Sequence, residues 1–127
     1  MLAHGFTQNG RCWGAFGRLM VQRFTTVAVD APGHGNSRHD DADLATAGQL
    51  IVDAGGSGHY VGYSMGGRML LQRAVEDPTG IESLVLIGAT AGIVDAAERT
   101  ARRNVDFDRA KDVRRLGTAD FLSLIHI

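Results

Sequence analysis

Residues 60–69 read Tyr60-Val61-Gly62-Tyr63-Ser64-Met65-Gly66-Gly67-Arg68-Met69, and within them Gly62-Tyr63-Ser64-Met65-Gly66 has the spacing G-x-S-x-G. An apolar stretch, His59 to Tyr63, precedes the serine, and an amphipathic one, Met69 to Val75, follows. Strand, sharp turn and helix in that order are the setting in which this pentapeptide forms a nucleophile elbow. Such a turn strains the serine backbone and points its hydroxyl outward. Gly62 and Gly66 leave room where side chains would strike the neighbouring strand and helix. The helix that follows aims its unpaired N-terminal amides, and the positive end of its dipole, toward Ser64. An oxyanion forming there is stabilised. The competing reading is a chance pentapeptide in a chain with 17 glycines. The flanking strand and helix patterns argue against it.

The composition narrows the function classes. The chain has 127 residues, enough for one modest domain. Thirteen Lys+Arg against 14 Asp+Glu give no basic excess for nucleic acid or an anionic membrane. No apolar run reaches membrane-spanning length, and the start lacks the basic region of a signal peptide, so no membrane insertion is expected and a cytoplasmic location is the default. Cys12 is the one cysteine, which rules out an internal disulfide. It reads as a small packing residue.

From the first residue onward, a strand stump at Met1–Gly5 runs into His4-Gly5-Phe6-Thr7-Gln8. The spacing of Trp13, Phe16, Leu19, Met20 and Phe24 predicts a helix over 13–24. The β-branched run Thr25 to Val29 predicts a buried strand. Asp30-Ala31-Pro32-Gly33-His34-Gly35-Asn36-Ser37 is a turn-rich loop. Asp43 is placed to cap a helix running to about Ala54, with Leu44, Ala47, Leu50 and Ile51 on one face. After the elbow, a helix stops at Asp77-Pro78, and Ser83 to Ile87 reads as a further strand. Asp95 to Arg115 is charged and helix-permissive. Strands and helices that alternate in this way predict a parallel sheet with helices on both faces, joined by right-handed crossovers.

Three motifs agree in order and spacing: His4-Gly5-Phe6, Asp30 to Ser37, and Gly62 to Gly66. On these residues the chain resembles the α/β-hydrolase superfamily. A narrower likeness rests on Gly62 to Arg68, Leu84 to Ile93, Glu98-Arg99, Ala101-Arg102-Arg103 and Asp106. Those stretches look like the 2-succinyl-6-hydroxy-2,4-cyclohexadiene-1-carboxylate synthase family of menaquinone biosynthesis, lyases on a hydrolase fold. That resemblance implies a Ser-His-Asp triad that takes a proton from the substrate and expels pyruvate, with no metal and no organic cofactor. It implies Ser64 as the catalytic serine and a small-molecule substrate bearing several carboxylates. It also implies an oxyanion hole built from the backbone N–H groups of Met65 and, in the loop after the first strand, Phe6. Arginine suits carboxylates through paired, charge-assisted hydrogen bonds. Arg68, one helical turn past Ser64, is the first candidate carboxylate ligand, against the alternative of a solvated helix arginine. Arg102 matches a second such arginine, with Arg99 and Arg103 as competitors for the role.

Triad order in this fold is Ser, Asp, His. His4, His34, His39 and His59 all precede Ser64 and are set aside as bases; His34 is expected to organise the Pro-Gly loop. Asp95, Asp106, Asp108, Asp112 and Asp120 read as surface charges and caps. Only His126 follows the serine. Yet Leu122-Ser123-Leu124-Ile125-His126-Ile127 is what the codons CTG TCT CTT ATA CAC ATC spell, letters resembling a transposase-end adaptor of DNA libraries. The natural frame is therefore expected to continue past Phe121 or Leu122, with a genuine apolar strand as the alternative. The expected organisation is 1–94 as part of an α/β-hydrolase core, 95–121 as the start of a helical cap, and 122–127 as adaptor-derived tail. With the triad Asp and His absent, this segment alone is expected to be inactive, and because a doubly wound domain usually needs roughly 200–250 residues it is expected to be poorly soluble or partly unfolded. Two rival functions stay open: an acyl or carboxylic-ester hydrolase using the same serine, and a non-catalytic binding protein.

Overall fold

The computed structural model describes residues 1–38 and 40–125; His39, His126 and Ile127 lie outside the described residues. The chain divides into two compact units, Met1–Ala91 and the residues from Gly92 onward.

The first unit holds a four-stranded sheet. Its strands are β1 (Leu2–Ala3), β2 (Ala28–Val29), β3 (Gly58–Tyr63) and β4 (Ile81–Ile87), all parallel, in the order β2-β1-β3-β4. The helices between them are α1 (Gly14–Met20), α2 (Leu44–Gly55) and α3 (Met65–Glu76). From β1 the chain steps one way to β2, then back across β1 to β3, and onward to β4. Right-handed crossovers make the direction of each step choose a face of the sheet. The reversal therefore puts α1 on the face opposite α2 and α3. It also creates a switch point between β1 and β3, where open α/β sheets bind ligands beyond the strand ends.

The core lies between the sheet and the α2–α3 pair. Ala3, Ala31, Ala47, Ile51, Val52, Tyr60, Met69 and Leu70 form one buried cluster. Asp43 caps α2 as expected, its carboxylate accepting from Thr46 N–H at 2.8 Å. The buried face of α2 is Ala47, Gly48, Ile51 and Val52. Leu44 and Leu50, expected on that face, stand 44% exposed. Gly48 explains the offset. A Cβ there would collide with the Met69 carbonyl oxygen and lie 3.0 Å from the Cβ of Arg73, so α2 and α3 touch backbone to backbone at this point. Arg73 is buried beneath that contact. Its guanidinium holds Asp77 at 3.0 Å and donates to the Thr79 carbonyl at 3.3 Å, fastening the end of α3 to the turn before β4.

Three local expectations change. The helix over 13–24 is a short 3₁₀ turn, Gly10–Trp13, followed by α1, which ends at Met20. Gly14, at φ 29°, separates the two, and residues beyond Met20 fold back in turns onto its carbonyl. The strand over 25–29 shrinks to Ala28–Val29, because β1 offers only Leu2 and Ala3 as partners. Being an edge strand, it leaves Val27 44% exposed rather than buried. Cys12 is exposed and packs against no core.

The second unit is dominated by α4 (Ala96–Ile125), interrupted at Gly117 (φ 77°, ψ 166°). Asp95 caps it, accepting from Glu98 N–H at 2.7 Å. Arg102–Asp106, Lys111–Asp108 and Arg115–Asp112 are spaced three or four residues apart along it, each with a closest approach of 2.9 Å. Exposed pairs of this kind support a polar helix by small increments.

The α2–α3 contact sets a test. Gly48→Ala raises helix propensity by about 1 kcal/mol, but overpacking a rigid backbone contact costs about 1–3 kcal/mol. Urea titration is expected to show net destabilisation; a more stable variant would mean the helices can separate freely.

Candidate active site

The elbow is built by close packing. Ser64 has φ 49° and ψ −108°, a left-handed conformation for a side chain that normally avoids it. Its N–H donates to the Ile87 carbonyl on β4 at 2.9 Å, and its carbonyl accepts from Arg68 N–H at 3.1 Å. The serine thus ends β3 on one side and starts α3 on the other. Three glycines make the crossing possible. A Cβ on Gly62 would lie 2.5 Å from the Gly67 Cα, one on Gly66 would lie 2.6 Å from the carbonyl oxygens of Ala3 and His4, and one on Gly67 would lie 2.6 Å from the Cβ of Ala89. Gly66 N–H donates to the His4 carbonyl at 3.0 Å. That bond ties the first turn of α3 directly to the loop after β1, across the switch point. The segments carrying Met65 and Phe6 are therefore held side by side.

Two histidines shape the Phe6 loop. His4 is 1% exposed. Its Nε2 accepts from Ala31 N–H at 3.0 Å, so Nδ1 carries the proton and donates to the Gly5 carbonyl at 2.8 Å. His34 adopts the same tautomer, donating from Nδ1 to the Pro32 carbonyl at 3.0 Å and accepting at Nε2 from Thr7 N–H at 3.4 Å. The ring of Phe6 meets that of His34 edge-on at 5.9 Å. Thr7, at φ 65°, shares with Ser64 the positive φ otherwise confined to glycines among the described residues. Strain thus accumulates at both loops facing the switch point. Asp30 binds the outer turns. Its carboxylate accepts from Gly10 N–H at 2.7 Å and Asn36 N–H at 2.8 Å, and these bonds hold its pKa below the ordinary carboxylate value.

The alpha/beta hydrolase family profile matches residues 1–125. The chain belongs to the alpha/beta hydrolase family. It is 34% identical over 122 residues to a 2-succinyl-6-hydroxy-2,4-cyclohexadiene-1-carboxylate synthase of Enterobacter sp. (strain 638), covering 88% of this chain and 45% of that protein. It is 33% identical over 96 residues to a pimeloyl-[acyl-carrier protein] methyl ester esterase of Methylococcus capsulatus, covering 74% of this chain and 38% of the relative. Among solved structures, MenH from S. aureus superposes with a TM-score of 0.75 at 28% identity, over 96% of this chain and 49% of that one. The chain spans about half the length of the curated relatives it matches.

Of the residues singled out in the sequence, Ser64, Met65, Arg68 and Phe6 all belong to the two loops at the switch point or to the first turn of α3. Arg68 is exposed, and its guanidinium has no ion pair or hydrogen bond among the described residues. Arg102 lies in the second unit. Its Nε donates to both carboxylate oxygens of Asp106 at 2.9 Å. Arg99 is tied to the carbonyls of Ile93 and Val94 at 2.8 and 3.2 Å. Together with Arg103 and Phe107 they line an open groove of about 480 Å³. The Ser64 hydroxyl has no histidine partner among the described residues. The fastening roles of Asp30 and Thr7 escaped the sequence reading. Asp30 opens the quoted loop motif, but its partners are backbone amides, which leave no residue-type signature.

Burial, which disfavours the charged imidazolium, pushes the pKa of His4 below its ordinary 6.5. A lowered value means the unfolded chain protonates first as pH falls. Stability is then complete above about pH 6.5 and declines below it, until the folded state also protonates. Urea titrations between about pH 7.5 and 5.5 are expected to show that decline, and His4→Gln should flatten it. An unchanged slope in the variant would assign the decline to other groups.

Proposed function

We propose that this chain is the N-terminal part of a cofactor-independent lyase of the 2-succinyl-6-hydroxy-2,4-cyclohexadiene-1-carboxylate synthase type, acting in menaquinone biosynthesis in the cytoplasm. The observation that carries the reading is the strained Ser64 at the switch point, backed by the likeness to the Enterobacter and S. aureus proteins over nearly the whole chain. In the complete protein, Ser64 works with a histidine and an aspartate supplied by later strands. The Met65 and Phe6 N–H groups stabilise negative charge that develops on substrate oxygen. Arg68, exposed and uncommitted one turn beyond Ser64, holds a substrate carboxylate. Arg102 is a second carboxylate ligand, which must exchange Asp106 for substrate. The 127-residue chain alone is inactive, because a serine without a general base is a weak nucleophile and a weak base.

The second reading is an ester hydrolase in which Ser64 forms an acyl-enzyme, favoured by the likeness to the pimeloyl-[acyl-carrier protein] methyl ester esterase.

The decisive experiment uses the complete protein that contains this segment. The lyase should release pyruvate from the menaquinone precursor and turn over nitrophenyl esters poorly; the esterase should do the reverse. Under the lyase reading, Ser64→Ala lowers kcat by at least about a thousandfold. Arg68→Ala raises KM by about tenfold or more, since a charge-assisted bond is worth about 1.5–3 kcal/mol. Ester turnover without pyruvate release would replace the first reading by the second. Full activity in Ser64→Ala would remove both.

A further inference from the structure

The turn after β1 is closed twice by one residue. Gln8 N–H donates to the Gly5 carbonyl at 3.2 Å, and the Gln8 side-chain oxygen accepts from Gly5 N–H at 3.0 Å. Phe6 and Thr7 are the two central residues. Among the described residues φ is positive at Thr7 (65°) and not at Phe6, the pattern of a type II turn. That turn calls for glycine at its third position, and threonine, branched at Cβ, is among the side chains least suited to it. Contacts from outside the turn's own main chain must therefore hold the strained form. The Gln8 side-chain oxygen supplies one, and His34 Nε2, accepting from Thr7 N–H at 3.4 Å, supplies another.

The contacts converge on Gly5, which is buried. A Cβ there would lie 2.9 Å from two ring carbons of Tyr63 and 3.1 Å from the Gln8 side-chain oxygen, so Gly5 is gripped between those side chains. Its carbonyl takes a second donor, His4 Nδ1–H, at 2.8 Å. The Gly5–Phe6 peptide is trans and planar, so its N–H points opposite to its C=O. Whatever fixes the direction of the Gly5 carbonyl therefore fixes the direction of the Phe6 N–H. His4 and Gln8, on either side of Gly5 in the chain, both hold that carbonyl. Only Gln8 also holds the Gly5 N–H.

We infer that Gln8 is a positioning residue: its carboxamide clamps Gly5, keeps the turn in its strained form and so sets the direction of the Phe6 N–H. The inference rests on the proposed role of that N–H as an oxyanion donor, which the lyase and ester hydrolase readings share. Gln8 touches no reacting atom. It acts by sparing the amide a reorientation as negative charge develops. Without the side-chain oxygen, the buried Gly5 N–H loses its acceptor, Thr7 relaxes to negative φ, and the Gly5–Phe6 peptide is free to tilt. The loss falls on the transition state and leaves substrate binding unchanged.

The test uses the complete protein that contains this segment and the variant Gln8→Met, which fills similar space without the acceptor. The backbone chemical shifts of Thr7 report the sign of its φ, and steady-state kinetics use whichever of the two substrates the unaltered protein turns over. Gln8→Met is expected to lose the positive-φ shifts and to lower kcat about 10- to 100-fold with KM within about twofold, since a small misplacement can cost about a hundredfold. Adding Thr7→Gly, which suits the positive φ, should recover most of that loss. A residue that merely supported the fold would gain nothing from a more flexible neighbour. Retained positive-φ shifts in Gln8→Met overturn the proposal. So does an unchanged kcat, a loss carried by KM, a double variant no better than the single one, or a Gln8→Met protein that does not fold. Failure of the underlying reading shows separately, as full activity in Ser64→Ala or turnover of neither substrate by the unaltered protein, and takes the proposal with it.

Discussion

Everything at the candidate site depends on one backbone constraint: the passage of the chain from β3 to α3 through Ser64 at positive φ. A non-glycine residue held there costs about 1–3 kcal/mol and persists only where its surroundings over-determine it. The surroundings do so from three sides. Ile87 takes the serine N–H, the start of α3 takes its carbonyl, and the His4 carbonyl takes Gly66 N–H. Removing the side chains at Gly62, Gly66 and Gly67 lets strand, helix and the β1 loop approach to distances that no Cβ tolerates. The strain is thus offset by three main-chain bonds and by close packing. Its result is a hydroxyl fixed at the crossing point of the sheet.

That constraint also explains why His4 and Asp30 are needed although neither has the position of a catalytic base. On the proposed reading the loop after β1 presents a backbone amide opposite the elbow, and a short loop has no ladder to hold it. His4, buried and singly protonated, joins that loop to Ala31 in the loop after β2. Asp30 joins the same second loop to Gly10. The loops after β1 and β2 are therefore one hydrogen-bonded body, and a rigid loop is the condition for preorganised electrostatic stabilisation. An unpositioned amide would have to reorganise during the reaction and would contribute far less.

The sequence was most legible where geometry restricts residue choice. The G-x-S-x-G spacing, the Asp43 cap and the Asp77-Pro78 stop each reflect a backbone demand that few residues meet, and each lies where expected. Legibility failed where the outcome depends on neighbours. Thr25 to Val29 has strand-forming residues, but a strand extends only as far as its partner, and β1 has two residues to offer. Leu44 and Leu50 fit the periodicity of α2, but Gly48 brings α3 so close that the buried stripe turns toward the small residues. The Phe16 and Leu19 spacing correctly marks a helix, although both side chains remain exposed. Periodicity identifies a helix face without saying what covers it.

Charge shows the same division between pattern and context. Arg68, Arg99, Arg102 and Arg103 are equivalent as letters, and a carboxylate-binding role fits any of them. The structure separates them by what each guanidinium already holds. Arg99 satisfies two carbonyls at the start of α4, and Arg102 is paired with both oxygens of Asp106. Arg68 holds no such partner among the described residues. An arginine that must surrender a bidentate carboxylate before taking another gains only the difference between the two bonds, whereas an uncommitted one contributes the whole of its new interaction. On the proposed reading, Arg68 is therefore the stronger anchor for an anionic substrate. On the same reading Arg102, which already holds both carboxylate oxygens of Asp106, would contribute mainly to discrimination between ligands that match the geometry of Asp106 and those that do not.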